Sequence, residues 1–197
     1  MRKRDRGITL IELIVSMALM SLVVLSIYSI ELFSRHHVIS SEKRAKVQNE
    51  ISYAIEYISK YVQQSNGNLS RKAIQPLATG FRVYIDLNST QTPSVLTDDG
   101  WIDYTLSSNT LTATCNANGG TCAFTTENLT SKINAGVAGN SIMPEFTDKG
   151  FYVMITDQGT AVDIGLVGRY NPAVTISSDN PQVSMKTRLV SPSSSAQ

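Results

Sequence analysis

Histidine and cysteine are scarce in this chain of 197 residues. The two histidines, His36 and His37, are adjacent, and the two cysteines are Cys115 and Cys122. A Ser-His-Asp or Cys-His catalytic site needs a histidine near the nucleophile, and a zinc site needs a set of cysteine and histidine ligands. The sequence also has no glycine-rich phosphate loop. We therefore expect no enzyme, no cofactor and no zinc site.

Glycine and proline are absent from a long N-terminal stretch. Neither residue occurs between Gly7 and Gly67. Because these are the two strongest helix breakers, we predict one continuous helix of about 85 Å, at about 1.5 Å per residue. We expect it to end at Asn66-Gly67-Asn68, with Gly67 in the left-handed conformation that closes many helices.

The first half of the predicted helix is suited to a membrane. Residues 8–33 are almost wholly apolar, and their length of roughly 39 Å exceeds a hydrocarbon layer of about 30 Å. Residues 1–7 carry four basic side chains and one acidic side chain. By the positive-inside rule this leader lies in the cytoplasm, so the C-terminal part lies outside it.

Glu12 is the unusual residue at the start of the apolar run. An ionised carboxylate in a membrane costs about a few kcal/mol unless it is paired. If the chain is cut after Gly7, Ile8 becomes the N-terminus. The helix start then supplies unpaired N–H groups, the positive end of the helix dipole and a free ammonium group. We expect these groups, or the ammonium group of a neighbouring copy, to compensate Glu12.

Two alternatives to cleavage after Gly7 are open for this segment. A secretory signal peptide has an apolar region of about 7 to 15 residues before a small-residue cleavage site, and this run is longer and lacks such a site. An uncut membrane anchor accounts for the length and for the basic flank, but not for Glu12.

The sequence RDRGITLIELIVSM at residues 4–17 resembles the N-terminal signal of the type IV pilin superfamily, which includes pilins and the pseudopilins of type II secretion. The resemblance implies that a prepilin peptidase cuts after Gly7 and methylates Ile8, and that Glu12 sets the register between subunits. The family usually has Phe or Met where this chain has Ile8. Other implied partners are pilin or pseudopilin subunits, an inner-membrane assembly platform and the membrane.

Nucleic acid is not an expected partner. Cleavage after Gly7 removes the basic leader, so the formal charge falls from +1 to about −2. A chain with that charge has no general electrostatic footprint for nucleic acid.

The chain beyond the membrane segment predicts an α+β head domain. The helix carries an apolar stripe that suits packing on a sheet. Tyr53, Tyr57 and Tyr61 form a second stripe, which either flanks the same core or contacts another subunit. Short strands follow, so we expect an antiparallel sheet covered by the helix on one face. The stripe residues are Val47, Ile51, Ile55, Ile58 and Val62, and the expected strands are 81–87, 101–106, 110–115, 151–156, 161–167 and 183–190.

The expected organisation has five parts. They are a cleaved leader (1–7), a membrane-spanning assembly helix (8–33), its continuation outside the cytoplasm (34–66), a β-rich head (67–191) and a disordered tail (192–197).

Two features of the head point to specific sites. Cys115 and Cys122 form an even pair outside the cytoplasm and predict a disulfide that contributes roughly 2 to 3 kcal/mol. Asp98, Asp99 and Asp103 carry oxygen ligands of the kind that calcium takes, but an ordinary turn before a strand accounts for them more simply.

The segments WIDYTLSSNTLT at 101–112, LTSKINAGV at 129–137 and VDIGLVGRYNP at 162–172 resemble, in this order, the larger minor subunits of the superfamily. These are the J-type pseudopilin of type II secretion and the W-type minor pilin. The tip-capping K-type pseudopilin usually lacks the carboxylate found here at Glu12 and is disfavoured.

We therefore expect a minor pilin or pseudopilin, held in the bacterial inner membrane and then assembled into a filament at the cell surface or in the periplasm. The alternative is a filament-borne adhesin or DNA-binding module that uses a loop such as 88–100 or 115–122. A basic and aromatic cluster on one loop would favour that alternative, and the sequence shows none.

Overall fold

A computed structural model of the chain describes residues 9–67, 71–87, 99–118, 121–135, 137–139 and 149–192. Within these ranges the fold is α+β, as predicted, with one long helix followed by strands in two sheets. The chain divides into two compact units, Met1–Glu42 and Lys43–Gln197, and the helix contributes residues to both. The predicted leader 1–7 lies outside the described residues, as does the predicted tail after Pro192.

The helix α1 (Leu10–Val62) is continuous over its whole length. The absence of glycine and proline from this stretch accounts for its continuity. The prediction that it reaches Asn66 is wrong, because the chain turns after Val62 and the Asn66 N–H donates to the Tyr84 carbonyl at 2.8 Å. The helix therefore ends where the chain approaches the strand that contains Tyr84, and not at a local sequence signal.

Gly67 does not close the helix in a left-handed conformation. Among the described glycines only Gly159 has a positive φ, of 91°. Gly67 is required for a different reason, since a Cβ atom there would lie 2.4 Å from the Ala73 backbone nitrogen. Its role is to permit a close approach of two chain segments.

The first sheet has five antiparallel strands in sequence order. The β3–β4 hairpin turns at Ser108, whose φ is 55°. The strands are β1 Ile74–Leu77, β2 Gly80–Ile85, β3 Gly100–Ser107, β4 Thr110–Asn116 and β5 Thr126–Thr130.

The second sheet has four strands, in the order β6-β7-β8-β9. The β6–β7 pair is parallel and the other two pairs are antiparallel. Strand β8 is central and is buried along both of its faces, whereas β9 lies at an edge. The strands are β6 Val137–Gly139, β7 Phe151–Thr156, β8 Ala161–Arg169 and β9 Gln182–Val190.

The core of the head forms where α1 packs on the inner faces of the sheets. Strands β3 and β4 alternate strictly between buried and partly exposed residues, which is the pattern of a sheet with one covered face. The two sheets meet at Phe81, whose ring lies 5.0 Å from that of Tyr104 and 6.2 Å from that of Phe151. The predicted stripe is buried except for Ile55, which is partly buried, and Ala54 joins it: Val47, Ile51, Ala54, Ile58 and Val62.

Candidate functional site

The start of α1 is closed by a reciprocal pair of hydrogen bonds between Thr9 and Glu12. The Thr9 N–H and hydroxyl donate to Glu12 Oε2 at 3.0 and 2.9 Å, and the Glu12 N–H donates to Thr9 Oγ1 at 3.4 Å. This is a capping box, which satisfies N–H groups that have no partner inside the helix. Compensation of Glu12 at the helix start was predicted from the sequence, but the part played by Thr9 was not. The Thr-x-x-Glu spacing is a signal that could have revealed it.

The two residues predicted to be processed, Gly7 and Ile8, lie outside the described residues. Glu12 Oε2 takes both bonds from Thr9, and among the described residues none donates to Oε1. Within the described part of the chain, the second carboxylate oxygen of Glu12 therefore has no donor.

The N-terminal part of α1 presents apolar side chains on every side. Between Leu10 and Phe33 the large apolar residues are exposed by between 49% and 77%. In the described part of the chain, α1 is the one helix long and apolar enough to cross a membrane, judged by length and composition. Such a surface needs lipid or other apolar helices to cover it.

The serine hydroxyls inside this segment are satisfied within the helix. Four serine hydroxyls donate to backbone carbonyls three or four residues earlier, at 2.6 to 2.9 Å. Residues 13–30 carry no charged side chain, a length of about 27 Å. Beyond them, Arg35 pairs with Glu31 one turn earlier. The serines are Ser16, Ser21, Ser26 and Ser29.

The tyrosine stripe of α1 packs against Phe124, which follows the disulfide loop of the head. Cys115 and Cys122 are joined by a disulfide with a Cα–Cα distance of 5.9 Å. After this loop, the Phe124 ring lies 5.9 Å from the ring of Tyr57 and 6.0 Å from that of Tyr61. Tyr57 and Tyr61 thus pack against the core, which is the first of the two alternatives considered for the stripe.

Hydroxyl groups of the stripe have shifted acidity. Burial of the Tyr57 hydroxyl raises its pKa well above the usual value. The Tyr53 hydroxyl donates to Glu127 Oε1 at 3.0 Å, and this bond raises the pKa of Tyr53. Both shifts favour the neutral phenol at Tyr53 and Tyr57.

The aspartates considered for calcium are engaged by arginines in separate pairs. Asp99, which is buried, pairs with Arg71, while Asp103 accepts two hydrogen bonds from Arg82, at 2.6 and 2.9 Å. Asp98 lies outside the described residues. Among the residues that the structure describes, no three His, Cys, Asp or Glu side chains gather as metal ligands. The structure therefore does not bring Asp99 and Asp103 together on a common ion.

Residues 2–28 match one known family model, the prokaryotic N-terminal methylation motif. The match contains Gly7, Ile8 and the Thr9–Glu12 capping box. It supports a type IV pilin-like prepilin signal at this N-terminus, and this kind of signal belongs to structural subunits and not to enzymes. It implies processing by a prepilin peptidase and assembly with other pilin subunits. No curated protein and no solved structure gave a significant match to the chain.

Proposed function

We propose that this chain is a minor pilin or pseudopilin, a structural subunit that helps to prime or cap assembly of a type IV pilus or of a type II secretion pseudopilus. The observation that carries the proposal is the methylation motif placed on a helix with apolar side chains on all sides. A static anchor needs the apolar surface but has no use for the motif. An assembly subunit needs both.

In this proposal the chain is cut after Gly7 and the new terminus at Ile8 is methylated. Glu12 then lies four residues from that terminus. Thr9 donates to one carboxylate oxygen, and no described residue donates to the other. A carboxylate in an apolar environment is costly unless it is paired. The Ile8 ammonium group of a neighbouring subunit supplies such a pair, and this pairing fixes the axial register between the two helices.

The remaining steps are mechanical. Before assembly, lipid of the inner membrane covers residues 10–33, and in the filament the helices of other subunits replace the lipid. The head remains outside the cytoplasm, at the cell surface or in the periplasm, and an inner-membrane platform drives the extraction. We infer the J-type or W-type branch from residues 101–112 and 162–172, which contain most of β3 and β8 and the start of β4.

The first experiment measures the N-terminal mass of the membrane-bound chain, expressed with and without a prepilin peptidase. The proposal predicts a methylated Ile8 terminus only when the peptidase is present. An intact leader in both samples would make the chain a static anchor.

A second experiment separates processing from assembly by comparing Glu12→Gln with Glu31→Gln. Both changes remove one carboxylate from α1, but Glu31 already has a partner one turn away, in Arg35. We expect Glu12→Gln to be cleaved normally and to be lost from purified filaments at least tenfold, whereas Glu31→Gln assembles as the wild type does. Equal incorporation of both variants would remove Glu12 from the assembly mechanism.

The alternative of a filament-borne adhesin or DNA-binding module receives less support from the described contacts. The outer face of the first sheet has the aromatic side chains Tyr84 and Trp101, but Arg71 and Arg82 lie over these rings at 4.5 and 4.8 Å. Both arginines are also paired with aspartates. Both aromatic rings are therefore already covered by an arginine side chain, and both arginines are already paired with a carboxylate.

A further inference from the structure

Three lysine side chains gather around one tyrosine ring in the head. The Nζ atoms of Lys132, Lys43 and Lys46 lie 5.1, 5.5 and 5.9 Å from the centre of the Tyr170 ring. Two of these lysines belong to α1, the third follows β5, and the tyrosine follows β8. We call the four residues the lysine–tyrosine cluster, and we propose that it binds a phosphate group.

The cluster has an excess of positive charge. A cation over an aromatic ring gains about 0.5 to 1 kcal/mol at an exposed site, but a ring has only two faces for three ammonium groups. Among the described residues, Asp179 supplies the carboxylate within ion-pair distance, 3.9 Å from Lys43 Nζ. Glu50, one turn from Lys46, instead accepts a hydrogen bond from Thr130 at 3.0 Å. Among the residues that the structure describes, Lys46 and Lys132 therefore have no carboxylate within ion-pair distance.

The size of this excess selects the ligand. A phosphate monoester carries a charge of about −1.5 to −2 near pH 7 and has three strong acceptor oxygens. Its charge therefore matches that of Lys46 and Lys132 together. A single carboxylate would leave one positive charge unbalanced.

The backbone holds Lys132 and Tyr170 in fixed relative positions. The Arg169 N–H donates to the Lys132 carbonyl at 2.8 Å, and Ile133 forms an isolated bridge with Gly168. The close approach of these two backbone segments depends on glycine, since a Cβ atom at Gly168 would lie 2.7 Å from the Lys132 carbonyl oxygen. The segment that carries Lys132 is thus fastened to β8 just before Tyr170.

A buried asparagine orders the other side of the cluster. Asn180 is 4% exposed, and its side-chain NH₂ group donates to the carbonyls of Asn171, Val174 and Thr175 at 2.8 to 3.1 Å. The same loop presents the Asp179 carbonyl, to which Lys43 Nζ donates at 3.0 Å. Lys43 and Lys46 lie three residues apart on a helix, so they share a face. All four members of the cluster therefore stand on ordered elements, and binding needs little rearrangement.

The phosphate group has two possible sources, free phosphate or the headgroup of a lipid such as phosphatidic acid. The chemistry recognised by the lysines is the same in both cases. The inference does not rest on the proposed function, because the cluster lies in the head and uses neither the leader nor Glu12.

The test measures the rate at which each lysine of the full chain in detergent is acylated, by mass spectrometry. We expect 10 mM inorganic phosphate, at constant ionic strength, to slow acylation of Lys46 and Lys132 at least threefold. The internal control is Lys60, whose ammonium group lies alone over Tyr61, 5.2 Å from the ring centre. A second arm uses nanodiscs of phosphatidylcholine with and without phosphatidic acid. Protection by phosphatidic acid but not by free phosphate would identify the lipid as the source.

Matched variants complete the test. We expect Lys46→Met and Lys132→Met each to raise the concentration of phosphate needed for half-protection of the remaining lysines at least tenfold, and Lys60→Met to leave it unchanged. Unaltered Trp101 fluorescence shows that a variant is folded. The proposal is overturned if neither source protects the cluster, if Lys60 is protected equally, or if only an oligonucleotide protects.

Discussion

The disulfide and Phe124 should stabilise the head as one unit. The disulfide closes a loop with a sequence separation of 7, for which the chain-entropy relation gives about 2.5 kcal/mol. Phe124 is half-buried, so Phe124→Ala should cost about 2 kcal/mol, less than the 3 to 5 kcal/mol of a fully buried ring. Once the loop is open, Phe124 is no longer held against Tyr57 and Tyr61. Removing both features should therefore cost about 3 kcal/mol and not their sum.

The assay is urea unfolding of the full chain in detergent, followed by the fluorescence of Trp101. This is the one tryptophan of the chain, and it pairs in register with Asn116, next to Cys115. The variants are the double change of both cysteines to Ser, Phe124→Ala, and their combination. Phe151→Leu, in the other sheet, is the matched control and should add to the cysteine change. If the combined variant loses the sum of the two separate losses in unfolding free energy, within about 0.5 kcal/mol, the coupling is refuted.

Three further predictions concern the head. Gly168→Ala places a Cβ atom 3.0 Å from Ile51 Cδ1 and should cost about 1 to 3 kcal/mol in urea unfolding, whereas Ser184→Ala on the exposed face of β9 should change little. The raised pKa of Tyr57 means that its contribution to stability is retained below about pH 10 and falls above it, because the unfolded state loses its proton first. Tyr57→Phe should therefore flatten the alkaline loss of stability in urea unfolding. Arg71→Met should destabilise the head more than Arg82→Met does. Each change removes the arginine partner of an aspartate, and this is more costly for Asp99, whose side chain is 0% exposed, than for Asp103, whose side chain is 18% exposed. The reverse order of the two variants in thermal unfolding would contradict this reasoning.

The strands that could be predicted from sequence are those with strong patterns. Strands β2, β3, β4, β7, β8 and β9 follow from their β-branched and aromatic runs. Strand β1 contains Pro76, which discourages a strand assignment but is tolerated because β1 lies at a sheet edge. Strand β5 is polar, and β6 has three residues. The division into two sheets depends on contacts between distant segments, so local patterns do not reveal it.

The N-terminal site was more accessible to sequence reasoning than the head. Glu12 is conspicuous because it is charged in an apolar run, and its spacing from Thr9 is a local signal. The lysine–tyrosine cluster has no such signal. Its residues are separated by up to 127 positions, from Lys43 to Tyr170, and only the packing of α1, the chain after β5 and the end of β8 brings them together.

The asparagine that orders the 171–180 loop also bears on how the protein ages. Spontaneous deamidation begins when the backbone nitrogen of the following residue attacks the asparagine side chain, and Asn180 is followed by Pro181, whose nitrogen carries no hydrogen. Asn118, which is exposed, is followed by Gly119 and has no such protection. With time, new negative charge should therefore form at Asn118 in the disulfide loop, while the amide of Asn180 persists and the loop beside Lys43 keeps its shape.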